Sequence, residues 1–274
     1  SPAACPDLRI WDVPDTYEAS LLRLVAELGL RTVGFEAAHV TVARHTWWVA
    51  SAAARGLAVE FVPTDRAVER LRVVKDPFEI DALREAAARM TGVVDAVIPH
   101  LRAGLVERDV AEQIESAMRR AGYERPAFDT IVAAGPNAAL PHHRAADRRF
   151  APGDLVVLDF GGVLDGYCSD LTRTVSVGAP SDEARRLYDA VRDAQAAAIA
   201  AVRPGIPATD VDRAARQILE ARGLGPAFGH GTGHGLGLDV HEEPRVSRPQ
   251  PDSTPVLLEP GMVFTIEPGA YLPG

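Results

Sequence analysis

The sequence predicts an α/β chain whose larger part is an internally duplicated domain. Three observations carry that prediction. Helix-like and strand-like segments alternate along the 274 residues, the chain matches itself at a shift of 101 residues, and one segment reads plainly as a β-hairpin. Residues 1 to 73 form a small α/β piece in this reading, with a helix over 17–28, a strand over 32–35, a helix over 42–55 and a strand over 58–62. Gly29, Gly34, Gly56 and Pro63 punctuate these elements. A junction follows, where Asp76 is placed to cap a helix that has Pro77 at its first position and Glu79 in its first turn, and that runs to about Leu101.

The duplication lays LRAGLVERDVAEQIESAMRRAG over VRPGIPATDVDRAARQILEARG, pairing Arg102 with Arg203, Gly104 with Gly205, Asp109 with Asp210 and Gly122 with Gly223. One residue of slippage then pairs Pro126-Ala127-Phe128 with Pro226-Ala227-Phe228. Each copy reads as helix, R-x-G turn, Asp-capped helix, glycine stop and a P-A-F lead into a strand or loop. Two related halves leave a cleft between them, a favoured place for a site.

Composition narrows the function classes. With 38 acidic against 29 basic side chains the formal net charge is −9, which argues against nucleic acid as a partner. Hydrophobic residues at 47% and charged residues at 24% are the balance of a globular chain. No apolar run approaches the roughly 18 residues of a membrane-spanning helix. Cys5 and Cys168 allow at most one disulfide, so a cytoplasmic location is expected. The chain does not begin with Met, and an upstream segment is kept open.

Four places carry chemistry. In DLVVLDFGGVLDGYCSDLTRTVSV, an Asp165-Gly166 turn puts Asp159 opposite Thr172, with Asp170 two places along on the same face. Asp159 and Asp170 are then diagonal neighbours roughly 7–8 Å apart at the backbone. Two buried like charges need a cation or a proton between them. In HGTGHGLGLDVHEEP, His230, His234 and His241 lie in a run whose glycines let the backbone pass close to a ligand; neither the zinc-helix nor the phosphate-loop spacing fits. Glu267 follows a short apolar strand and stands before Pro268-Gly269, and His142 and His143 lie in a loop after Gly135-Pro136-Asn137.

Together these places resemble the metallopeptidase family of pita-bread fold that includes Xaa-Pro aminopeptidase, prolidase and methionine aminopeptidase. The likeness runs from residue 70 to 274. It implies Asp159, Asp170, His234 and Glu267 as metal ligands, with His142 and His241 facing the substrate and Glu267 also moving a proton. It implies two divalent metal ions, manganese first, with cobalt, zinc or iron as alternatives, and hydrolysis of the bond preceding proline in dipeptides or peptides with a free amino end. Residues 1–73 are similar to the latter half of the amino-terminal domain of the creatinase, prolidase and aminopeptidase P branch. That branch is often dimeric, so a homodimer is expected; Trp47-Trp48 belong either to such a contact or to the core of the small domain, and the core is the preferred reading. The family's fifth ligand, a glutamate beyond the Pro-Gly turn, is absent before Gly274, so either the chain is short at that end or the second metal site is incomplete. The competing reading is a ligand-depleted member of the fold that acts as a binding module. Cys168 is expected to be a small buried strand residue, and His39, His45, His100 and His143 are left structural or solvated.

Overall fold

The computed structural model describes residues 8–251 and 254–272; Cys5 and Gly274 lie outside them. The chain divides into two compact units, Ser1–Val68 and Glu69–Gly274.

In the first unit, α1 (Tyr17–Glu27) is capped by the Thr16 hydroxyl, β1 (Thr32–Glu36) pairs in parallel with β2 (Glu60–Thr64), and α2 (Val42–Ala54) lies between them in sequence. Its core is thin: Leu22, Trp48, Ala52 and Phe61 are buried, and the Trp48 ring stacks on Phe61 at 5.6 Å. Trp47, expected in that core beside Trp48, is 41% exposed, because adjacent helical residues point about 100° apart. A short helix α3 (Ala67–Arg72) follows.

The second unit opens with α4 (Pro77–Val97). The Asp76 carboxylate accepts from the Glu79 N–H and the Glu79 side chain answers the Asp76 N–H, a complete capping box with proline at the first turn. The helix ends at Val97 rather than near Leu101, since Pro99 falls in a 3₁₀ turn over Ile98–His100. Next come α5 (Glu107–Arg120), β3 (Arg125–Pro126), β4 (Ile131–Ala134), β5 (Leu155–Phe160), β6 (Gly162–Leu164), β7 (Tyr167–Cys168) and β8 (Leu171–Ser176). Beyond them lie α6 (Asp182–Ala201), α7 (Ala208–Ala221), β9 (Gly233–Gly235) and β10 (Glu242–Val246).

The hairpin keeps its expected register, with Asp159 opposite Thr172 and Val163 opposite Cys168. It bends at Gly161, where a Cβ would lie 2.0 Å from the Ser169 carbonyl, so its two ends join different sheets, β4-β5-β8 and β3-β6-β7. Along β5 the residues alternate: Val156, Leu158 and Phe160 are buried in the core with Met90, Ile114 and Met118, which leaves Asp159 on the opposite face.

The duplication is visible in detail. Helices α5 and α7 have the same length at a shift of 101, and buried Val110, Ile114 and Met118 recur as Val211, Ala215 and Leu219. Gly104 and Gly205 donate to the carbonyls of Phe150 and Leu258 in turn, and Val106 and Pro207 form matching bridges to Arg149 and Leu257. These bridges correct one expectation. Asp109 and Asp210 do not cap the helices; Val106 and Pro207 hold the cap positions without a side-chain bond, and the first free N–H groups donate to the carbonyls of Arg148 and Val256. The P-A-F segments also diverge, into β3 in the first half and a 3₁₀ turn over Gly225–Ala227 in the second. The second core is a small-residue seam, in which Ala190, Ala194 and Ala198 on one face of α6 pack with Ala208 and Ala215 of α7.

Candidate metal centre

The six residues singled out in the sequence line one open cleft of about 1840 Å³ in the second unit. Asp170, His234 and Glu267 converge most closely, each offering a ligand atom within 4.8 Å of the others. His234 Nε2 lies 3.1 Å from Glu267 Oε1 and 3.4 Å from Asp170 Oδ2. Asp159 stands beside this trio and accepts from the Thr172 hydroxyl at 3.0 Å. His241 meets the His234 ring edge-on at 4.4 Å, and His142 lies on the cleft wall, exposed.

Local backbone explains how these groups meet. Residues 232–236 pair on one side with β10 and on the other with 263–267, through Leu236 to Val263, Thr265 to His234 and Glu267 to Thr232. The expected strand before Glu267 is therefore an extended segment held to the histidine strand, which places His234 and Glu267 side by side. The glycines around His234 serve a different purpose from the one expected. A Cβ at Gly233 or Gly235 would come within 2.0 Å of the Thr265 or Glu243 carbonyl, so they let neighbouring backbone, rather than a ligand, approach.

The charges are unevenly balanced. Burial, then the charge of Asp170, pushes the Asp159 carboxyl up to about 7. Burial would lower the His234 imidazole, but hydrogen bonds to Asp170 and Glu267 raise it to about 10. Burial would raise Glu267, yet His234 and the Thr265 hydroxyl, which donates at 2.8 Å, hold it below the usual carboxylate range. His241 is held below its ordinary value by burial and by the positive charge of His234. Three carboxylates that face one imidazole in a half-buried site form a donor set suited to cations. Its mainly oxygen character fits hard or borderline divalent ions.

Sequence reasoning missed several supporting residues. Thr265 accepts from the His234 N–H at 3.0 Å and donates to Glu267, and its position two before Glu267 in an extended segment was the available signal. Tyr271 lines the cleft with its hydroxyl pushed up to about 12 by burial and by Asp159 and Glu267. His143, left as structural or solvated, binds the buried Glu107 carboxylate at 2.9 Å. Lys75, the chain's single lysine, is buried and pairs with Glu242 at 2.9 Å, next in sequence to His241. Cys168 is buried in β7 as expected.

A duplicated α/β unit with a carboxylate–histidine cluster in its cleft defines a metallopeptidase scaffold. The profile of metallopeptidase family M24 matches residues 81–274, and the chain belongs to that family. It is 44% identical over 214 residues to the Xaa-Pro dipeptidase of Pyrococcus furiosus, an alignment covering 78% of this chain and 60% of that protein. Among solved structures it resembles an Xaa-Pro dipeptidase from Bacillus anthracis with a TM-score of 0.88 at 37% identity, covering 96% of this chain and 71% of that one. An X-Pro aminopeptidase from Thermotoga maritima is similar at a TM-score of 0.87 and 36% identity, covering 98% of this chain and 74% of that one. The chain thus spans about three-fifths of the curated relative it matches. Among the described residues no helix is long and apolar enough to cross a membrane.

Proposed function

We propose that this chain is a metal-dependent peptidase that hydrolyses the bond preceding proline in Xaa-Pro dipeptides or short peptides with a free amino end. The observation that carries this reading is the convergence of Asp170, His234 and Glu267 within 4.8 Å in the cleft of an M24 chain. Asp159, Asp170, His234 and Glu267 are the proposed ligands of two divalent ions, manganese first, with cobalt, zinc or iron as alternatives. When bound, such ions supply a water that is acidic enough to ionise near neutral pH and polarise the scissile carbonyl.

The protein's own groups divide the remaining work. Glu267, bridged to the histidine strand through Thr265, is placed to take a proton from the attacking water and return it to the leaving proline nitrogen. His241, whose ring meets that of His234 edge-on, is the proposed hydrogen-bond donor to the oxygen that gains charge at the carbonyl carbon. His142, which lines the same cleft, is proposed to orient the same region of the substrate. The excess of carboxylate in the cluster meets the substrate's free amine. Residues 1–73 are the proposed latter part of a creatinase-like amino-terminal domain, through which a homodimer would form, and a cytoplasmic location goes with this reading.

The test is hydrolysis of Ala-Pro and Ala-Pro-Ala by the manganese-loaded protein, alongside its metal content. Cleavage of the dipeptide alone assigns a dipeptidase, and cleavage of both assigns an aminopeptidase. No cleavage of either by a folded, metal-loaded protein would leave the binding-module reading standing and overturn the proposal.

A further inference from the structure

Glu107 occupies a position where helix packing needs no charge. It stands at the start of α5 on the apolar stripe with Val110, Ile114 and Met118, and it is fully buried. The residue related to it by the duplication is Ala208, an apolar residue buried in the core of its own half. The Glu107 carboxylate is instead saturated by one segment of chain. Oε1 accepts from the Ala134 N–H at 2.8 Å and from the Asn137 amide at 2.9 Å. Oε2 accepts from the Ala146 N–H at 3.1 Å and from Asn137 at 3.2 Å, and lies 2.9 Å from His143 Nε2. These donors stand at the start, middle and end of residues 134–146, the loop that carries His142 to the cleft wall.

We infer that Glu107 is the positioning residue for His142, clamping the 134–146 loop so that this histidine meets the substrate in a fixed orientation. The inference rests on the proposed peptidase reading for what His142 does, though the clamp itself stands on the bonds above. A buried carboxylate is tolerable only while its donors surround it, so loop and carboxylate order one another. His143 ties the clamp to the residue next to His142. The second half repeats the device one helical turn further along. There Asp212 of α7 accepts from the Thr232 N–H at 3.1 Å and hydroxyl at 2.8 Å, and from Arg216, whose guanidinium also reaches the carbonyls of Phe228 and His230. That clamp fixes the segment leading into His234. Each half thus uses a buried carboxylate on its second helix to hold the histidine-bearing segment at the cleft.

The experiment compares Glu107→Gln, His143→Ala, His142→Ala and the double variants His142→Ala/Glu107→Gln and His142→Ala/His143→Ala in the metal-loaded protein. Glu107→Gln turns an N–H toward donors, and His143→Ala removes one donor from the loop without touching α5. Each should lower kcat/KM for Ala-Pro about 10- to 100-fold with metal content unchanged. In the His142→Ala background either change should add less than about twofold, since residues that act through one another are not additive. Hydrogen exchange of the Ala134 and Ala146 amides should speed up in Glu107→Gln while amides within α4 keep their protection. Full multiplication of the losses, wild-type kcat/KM in both single variants, or unchanged exchange overturns the inference. If Glu107→Gln fails to fold, His143→Ala decides by the same two readouts. Wild-type protein without peptidase activity would defeat the functional reading instead, and the exchange experiment would then judge the clamp alone.

Discussion

At the scale of single residues, the centre is defined by which charges lack a partner. Burial and then the charge of Asp170 raise Asp159 to about 7, while bonds to Asp170 and Glu267 raise His234 to about 10 against its burial, so the cluster favours added positive charge. Asp170→Asn or His234→Ala should therefore cut metal retention through dialysis and lower kcat/KM by at least about 100-fold, with far-ultraviolet circular dichroism unchanged. A variant that keeps both metal and rate would remove that residue from the centre. Glu107 makes a different prediction. Burial would raise it, but the Ala134 N–H, Asn137, His143 and the Ala146 N–H outweigh burial and hold it below its ordinary 4.5. A depressed folded value means stability fully present above about pH 4.5 and lost as pH falls through the folded value. Glu107→Gln should thus destabilise by about 1–3 kcal/mol at neutral pH. In urea unfolding the gap to wild type should narrow steadily below about pH 4.5; a gap constant down to pH 3 would contradict this. The proposed ligands could be read from motif spacing because their chemistry fixes residue type. Thr265, His143 and Glu107 could not, since a threonine, a loop histidine and a glutamate are ordinary anywhere. Only the place of Glu107 on an apolar helical stripe marked it out.

At the scale of elements, local signals were decisive where they act within a few residues. The capping box at Asp76, the Asp165-Gly166 turn, with φ of +49° and +80°, and the pairing of Asp159 with Thr172 follow from short-range chemistry. Asp76→Ala should accordingly lower stability by about 1 kcal/mol without altering the site, as measured by urea unfolding and by an unchanged KM. The misreadings came where a neighbour distant in sequence supplies the partner. The first turns of α5 and α7 bond to the carbonyls of Arg148 and Val256, which makes an aspartate cap unnecessary. The same holds for the histidine strand, whose glycines are dictated by two flanking segments rather than by a ligand. Gly235→Ala would push a methyl to within 2.0 Å of the Glu243 carbonyl, and backbone cannot swing aside as a side chain can. Loss of about 1–3 kcal/mol of stability is expected from such overpacking. The displaced His234 should also cost metal affinity, so Gly235→Ala must fail in both thermal unfolding and metal titration; wild-type metal affinity would show that His234 is not held by this pairing.

At the scale of the whole molecule, duplication makes the architecture legible in the sequence, because matched turn residues and helix lengths at a 101-residue shift constrain two halves at once. Which segments close the cleft was not legible, since the pairing of 232–236 with 263–267 is set by tertiary contact alone. With the proposed ligands, this arrangement would couple metal binding to the opening of the unit Glu69–Gly274. Cys168 is buried two residues from Asp170, and burial raises its thiol above the ordinary value, so it reacts only after the surrounding sheet opens. With Asp170, His234 and Glu267 as the proposed ligands, opening of that sheet would separate them and release the ion. In a Cys5→Ser background, where Cys168 is the single thiol, labelling should slow by the linkage factor 1 + [M]/Kd, about 100-fold at a free metal concentration one hundred times Kd. The same metal should leave the labelling rate of a His234→Ala variant nearly unchanged. Equal protection in both proteins would place the stabilising ion elsewhere, whereas protection confined to the intact cluster ties the ion, the cleft and the cohesion of the duplicated halves to one set of residues.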